Sequence, residues 1–166
     1  MLRSSALVIL LAACGNGGPP HWKDQPLETF TGTTGGHAYS IDLPKGTEKS
    51  KVESKYSDDY AYHTGGRVYA PSVAISWNEK KGTLDEALAR EKEPIVDKSS
   101  DAGGWVYATE NSAYKGKSDY VLTAERFAGD GSFTCNARVY PMVKGEDVKA
   151  KLLPLVEKMC ASLKAK

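Results

Sequence analysis

From Ser132 to Tyr140, Phe133, Cys135, Ala137 and Val139 alternate with Thr134, Asn136, Arg138 and Tyr140. That period of two predicts an antiparallel strand with one face covered. The same alternation runs from His37 to Leu43, where His37, Tyr39, Ile41 and Leu43 oppose Ala38, Ser40 and Asp42. Between Arg67 and Trp77, Tyr69, Val73, Ile75 and Trp77 form one face and small residues the other. Pro71 cannot donate to a ladder, which points to an edge strand or a late start of pairing. Gly103-Gly104 opens a strand over Trp105–Glu110, and the turn Gly129-Asp130-Gly131 joins Asp119–Ala128 to Ser132–Tyr140 as a hairpin. Residues 47–66 are polar and tyrosine-rich and predict one or two exposed strands, closed by Thr64-Gly65-Gly66.

Two segments carry the other period. Thr83-Leu84-Asp85-Glu86 is a capping box, followed by Leu84, Ala87 and Leu88 at helical spacing and stopped by Pro94. From about Glu146 to Leu163, Val148, Leu152, Leu155, Val156, Met159, Cys160 and Leu163 make an apolar stripe. Pro154 removes a backbone bond there and predicts a kink near 151–153. Cys160 on the stripe and Cys135 on an apolar strand face would point into one core and form a disulfide, with two buried free thiols as the alternative. Closing that loop, about 26 residues long, contributes about 3 kcal/mol in the chain-entropy model. The fold class is therefore α+β: an antiparallel β-sheet with a mid-chain helix and a C-terminal helix packed on it.

This order of strands, a helix opening Thr83-Leu84-Asp85-Glu86-Ala87-Leu88, a further meander and a closing helix is similar to the PsbP-like fold. Tyr39-Ser40-Ile41-Asp42-Leu43-Pro44 adds to the likeness, which covers about residues 39–163. The family includes an extrinsic subunit of photosystem II and many small bacterial lipoproteins. The resemblance implies a non-enzymatic scaffold and carries over no functional residue.

The chain begins with Arg3, an apolar centre Ala6–Leu11, and the small pair Ala12-Ala13 before Cys14. This resembles the signal peptide of a bacterial lipoprotein, with Leu11-Ala12-Ala13-Cys14 as the lipobox. The apolar run is far shorter than the roughly 20 residues a spanning helix needs. Gly15–Pro20 could not continue it. Cleavage before Cys14 removes Arg3, which brings the 22 basic residues level with the 21 acidic ones. A balanced chain has no long-range pull on nucleic acid or anionic headgroups, so nucleic-acid binding is not expected. The expected organisation is a signal peptide over 1–13, a flexible tether over 14–36 and one α+β domain over 37–166. Within the tether, Trp22, Leu27 and Phe30 give part of the segment a means of docking on the domain. The cysteines left after Cys14 form an even pair, as suits an exported protein. Gly15, where inner-membrane lipoproteins of many diderm bacteria carry Asp, favours the outer membrane facing the periplasm by that resemblance.

Motifs for chemistry are sparse. Gly116-Lys117-Ser118 resembles the end of a P-loop, but position 111 is Asn and a strand follows. His21, His37 and His63 lie far apart, without an H-E-x-x-H pair, and no G-x-S-x-G elbow occurs. Asp58-Asp59 lacks the ordered spacing of an EF-hand loop. No metal site and no cofactor are expected. One enrichment stands out: Tyr56, Tyr60, Tyr62 and Tyr69, with His63 and Arg67, form a candidate binding surface, since such side chains bury area and keep a polar handle. Tyrosine is equally at home half-buried in any strand. The function expected is a non-catalytic binding or structural module, lipid-anchored through Cys14 and able to meet an envelope partner. The competing class is a small envelope hydrolase with a site assembled from separated residues.

Overall fold

The computed structural model describes residues 20–52, 54–111 and 119–166; the lipobox, residues 14–19 of the tether and Gly116-Lys117-Ser118 lie outside them. Among the described residues ten strands form: β1 (Leu27–Thr34), β2 (His37–Pro44), β3 (Thr47–Lys49), β4 (Ser57–Thr64), β5 (Arg67–Asn78), β6 (Ile95–Asp101), β7 (Gly104–Asn111), β8 (Asp119–Ala128), β9 (Gly131–Val139) and β10 (Lys164–Ala165). Helices α1 (Leu84–Arg90) and α2 (Leu153–Ala161), a 3-10 turn at Trp22–Asp24 and a π-helical turn at Val148–Leu152 accompany them. Seven strands make an antiparallel sheet in the order β3-β4-β5-β9-β8-β7-β6, and β1-β2-β10 make a smaller one.

The inner face of the large sheet follows from the alternation. Val73, Ile75, Leu122, Ala124, Cys135, Ala137 and Val139 are buried, while Asn136 and Arg138 between them are exposed. Two covers lie on that face. The small sheet supplies Tyr39, Ile41 and Leu43, and α2 supplies Val156, Met159 and Cys160, all in one core. Cys135 and Cys160 are disulfide-bonded with their Cα atoms 5.6 Å apart, so β9 is bonded to the helix above it.

The helical segment changes pitch where Pro154 demands it. Val148–Leu152 is a π-helical turn, capped by Asp147 accepting from Ala150 N–H at 2.9 Å, and Pro154 then sits in the first turn of α2. Thr83 and Glu86 close the reciprocal capping box of α1, whose Leu84, Ala87 and Leu88 are only half-buried. Pro71 lies inside β5, which is central. Pairing with β9 begins at Ser72, and the ladder to β4 shifts register between Ala61 and Tyr62. Toward β4 the strand is already paired from Arg67, so the late start is realised toward β9 alone, and Pro71 sits where β5 has one partner.

Two expectations need correction. Residues 20–36 are not a coil: Trp22–Asp24 is a 3-10 turn with Trp22 buried, and Leu27–Thr34 pairs with β2 along its whole length. Thr31–Gly36 looks turn-prone because it holds a hairpin turn. Gly35 and Gly36 have φ of 57° and 80°, the left-handed pair that a two-residue type I′ loop requires. The domain therefore starts near Pro20, not His37. Residues 95–101, unassigned from the sequence, form β6, an edge strand in which only Val96 is half-buried. A strand with one partner and both faces wet has no alternation to read.

Candidate functional site

β4 sorts the six candidate surface residues into different environments. Its inward positions are Asp58, Tyr60 and Tyr62, all buried, and its outward ones are Asp59, Ala61 and His63. Tyr69 packs half-buried against the core, whereas Tyr56 and Arg67 stand exposed beyond the ends of β4. The tyrosines therefore do not form a shared binding face, which corrects that expectation. Tyr60 and Tyr62 are core residues, and removing their rings would damage packing before it touched a partner.

An ionic network explains why β4 can carry Asp58 inward. Lys49 Nζ lies 2.6 Å from Asp58 Oδ1, and Tyr39 donates to Asp58 Oδ2 at 2.7 Å. Tyr39 has a single proton, so Tyr60, 2.8 Å away, donates to the Tyr39 oxygen. Burial above all, with Tyr60 and Asp58 beside it, pushes the Tyr39 phenol far up. The backbone of Gly32 lies against this cluster, and a Cβ there would collide with Tyr39 Oη and Asp58 Oδ2. A buried, fully paired network of this kind rigidifies the contact between the two sheets.

The outward residues border a shallow open groove of about 600 Å³, lined by Glu48, Lys51, Asp59, His63, Val68 and Ser72 among others. His63 Nδ1 lies 3.6 Å from Glu48 Oε2, and among the described residues no hydroxyl hydrogen-bonds to His63. The groove thus offers carboxylates, an ammonium, an imidazole and hydroxyls to a ligand without a nucleophile held against a base. Among the described residues, no group of three or more His, Cys, Asp or Glu could hold a metal ion. Along the rest of the outer face, β5 and β9 present Ser72, Ala74, Ser76, Thr134, Asn136 and Arg138, with Arg138 Nε on Asp119 at 2.6 Å. Among the described residues only its β7–β8 side is roofed, where Gly82 N–H donates to Glu125 Oε1 at 2.6 Å and Tyr107 Oη to Glu91 Oε2 at 3.2 Å.

The sequence missed a second cluster, which clasps the N-terminal segment to the domain. Glu146, its side chain 1% exposed, accepts from His21 Nε2 at 2.8 Å, Lys23 Nζ at 2.9 Å and Met142 N–H at 3.0 Å. Tyr62 Oη donates to Pro20 O at 2.9 Å beside the buried indole of Trp22. Trp22 was its only sequence trace; partners 125 residues apart have no local signature. Burial alone would raise the Glu146 carboxyl, but the hydrogen bonds from His21, Lys23 and Met142 outweigh it and hold it down at about 2. A carboxylate depressed from 4.5 adds stability above pH 4.5 and loses it as pH falls through 2. Glu146→Gln should lower the unfolding free energy by about 2 kcal/mol at neutral pH. Denaturant midpoints measured from pH 7 to 2 should show the wild type converging on the variant below pH 4.5. Parallel curves throughout would refute this role.

No protein-family model matches the chain, and no curated protein sequence matches it. Several solved structures do. Mog1p, a Ran-binding protein of Saccharomyces cerevisiae, superposes with a TM-score of 0.58 at 12% identity, over 84% of this chain and 95% of its own. CyanoP, the cyanobacterial PsbP of Synechocystis sp. PCC 6803, gives 0.53 at 13% identity, over 94% of this chain and 99% of its own. A protein of Bacteroides thetaiotaomicron VPI-5482 gives 0.51 at 15% identity, over 84% of this chain and 48% of its own. At such identities the likeness establishes the fold, which is PsbP-like.

Proposed function

We propose that this chain is a lipid-anchored protein of the bacterial envelope acting as a non-catalytic binding or structural module, held by acyl chains on Cys14 and facing the periplasm from the outer membrane. The observation that carries the binding role is the uncovered β4–β5 side of the seven-stranded sheet's outer face. The small sheet and α2 lie on the inner face and the segment around Gly82 and Glu91 roofs the outer face only over β7–β8, so among the described residues the His63 groove is open to solvent. Mog1p, described as Ran-binding, is a precedent for this fold in a binding protein. The lipobox residues and a disulfide suited to an oxidising compartment support export. A hydrolase is disfavoured because His63 faces Glu48 and no hydroxyl among the described residues hydrogen-bonds to it.

A photo-cross-linking residue placed at Ser72 in intact cells should give one discrete adduct, and Asp59→Arg in the same chain should abolish it. Absence of any adduct at Ser72 would remove the groove from consideration. Hydrolysis of a small ester or amide panel, lost in His63→Ala, would replace the binder with the enzyme. Cys14→Ser should move the protein from the membrane fraction to the soluble one, and retention in the membrane would refute the anchor.

A further inference from the structure

Antiparallel pairing places the ends of many strands together. At one end of the large sheet β3, β5, β6 and β8 begin, and β4, β7 and β9 finish. The N-terminal segment docks at this same end, because Pro20 is held by Tyr62, two residues before β4 stops. Lys45 N–H donates to Pro26 O at 2.8 Å, which brings the β2–β3 turn there as well.

Exposed apolar side chains are distributed unevenly between the two ends. Of the large ones exposed among the described residues, Leu27, Val68, Ile95, Tyr140 and Val143 lie at the Pro20 end, and only Val52 and Tyr56 lie at the other. Val68 and Val143 are 61% and 55% exposed. Val143 is three residues from Glu146, the carboxylate that grips His21 and Lys23, so its loop and the N-terminal segment are pinned to each other. Scattered single apolar residues need no explanation, but a group of them at one end marks an interaction surface.

Chain length identifies what this end meets. Pro20 lies six positions beyond Cys14, and six backbone steps span at most about 20 Å even when fully extended. A domain docked at Pro20 cannot swing its far end to an anchoring surface on so short a lead. Among the described residues charge at this end is balanced: Lys45 pairs with Glu28, Glu146 is gripped by Lys23 and His21, and exposed Arg67 and Lys144 share the region with Glu48, Glu93 and Glu110. Attraction to anionic headgroups is therefore weak, and contact rests on apolar area, with Tyr140 suited to the interfacial layer.

We propose that the Pro20 end of the domain, through Tyr140 and Val143 above all and through Val68 at the near rim of the His63 groove, rests in the headgroup layer of the membrane that holds Cys14, with the opposite end directed away from it. This rests on the lipid-anchor reading given above.

The test uses the full acylated chain, with acylation of Cys14 verified by intact mass, in phosphatidylcholine vesicles carrying nitroxide lipids. An environment-sensitive thiol label is placed in turn at Val143→Cys, Val68→Cys and Val52→Cys, all exposed positions. Emission should be lost to quenching at 143 and 68 and retained at 52. Replacing part of the lipid with phosphatidylglycerol should leave that pattern unchanged. Equal emission at all three sites in an acylated protein would overturn the orientation while leaving the anchor standing, and would give this end to a protein partner. Quenching that appears only with phosphatidylglycerol would also overturn it, in favour of a cation-driven contact. An unmodified Cys14 would remove the anchor and the orientation together.

Discussion

Replacing Cys135 and Cys160 together with alanine should lower the unfolding free energy by about 3 kcal/mol, with the native fold retained. Both residues are completely buried, one in the middle of β9 and the other on α2. Their bond ties two elements 25 residues apart and so restricts the unfolded chain more than it shapes the folded one. Alanine suits the test because it leaves no buried hydroxyl, although each lost sulfur adds a small cavity cost. Denaturant unfolding should show a lower midpoint and, with a looser unfolded state, a steeper slope. Reductant should bring the wild type down to the variant and leave the variant where it is. If reductant failed to shift the wild type under denaturing conditions, the bridge would have no part in stability.

Trp22→Ala should cost more, about 3–5 kcal/mol, the range for deleting a buried aromatic ring. Trp22 is 1% exposed, and its side chain belongs to the same core as Ile41, Val139 and Leu152. Its indole N–H is buried and has no hydrogen-bond partner among the described residues, so the loss comes from packing and the cavity left behind. Trp22→Phe removes that orphan donor while keeping much of the ring, and it should retain most of the stability. Limited proteolysis should cut the alanine variant after Pro20, where the wild type resists. A neutral Trp22→Ala would restore the flexible tether that the sequence predicts for this segment.

The contrast between Trp22 and β9 shows what could be read in advance. Phe133, Cys135, Ala137 and Val139 alternate because both neighbours of β9 are strands and one face is covered, so its pattern is complete within nine residues. The α2 stripe and the capping box at Thr83 were legible for the same reason: cause and signal lie within a few turns of chain. β4 obeys the period as well, but Asp58 occupies an inward position, and its partners Lys49 and Tyr39 come from other strands. An inward carboxylate made that strand read as surface and its tyrosines as a binding face. β1 was hidden by threonine and glycine, which serve a hairpin as readily as a coil. The groove at His63 was half-visible: His63 was named, but Glu48, Asp59 and Ser72 reach it only through pairing of β3, β4 and β5.

The small sheet has a consequence for how the chain is made. In it Lys164 pairs with Ser40, so two strands adjacent in space are almost a full domain apart along the backbone. A polypeptide that emerges with its N-terminus first can close the β1–β2 hairpin at once, but β2 waits for its third partner until residue 165 has appeared. Pairings this distant in sequence form slowly because a long loop must close before they yield any contact. Until then the apolar inner faces of β2 and the large sheet lack α2, and a chain stalled before Leu153 is one that a holding chaperone should recognise.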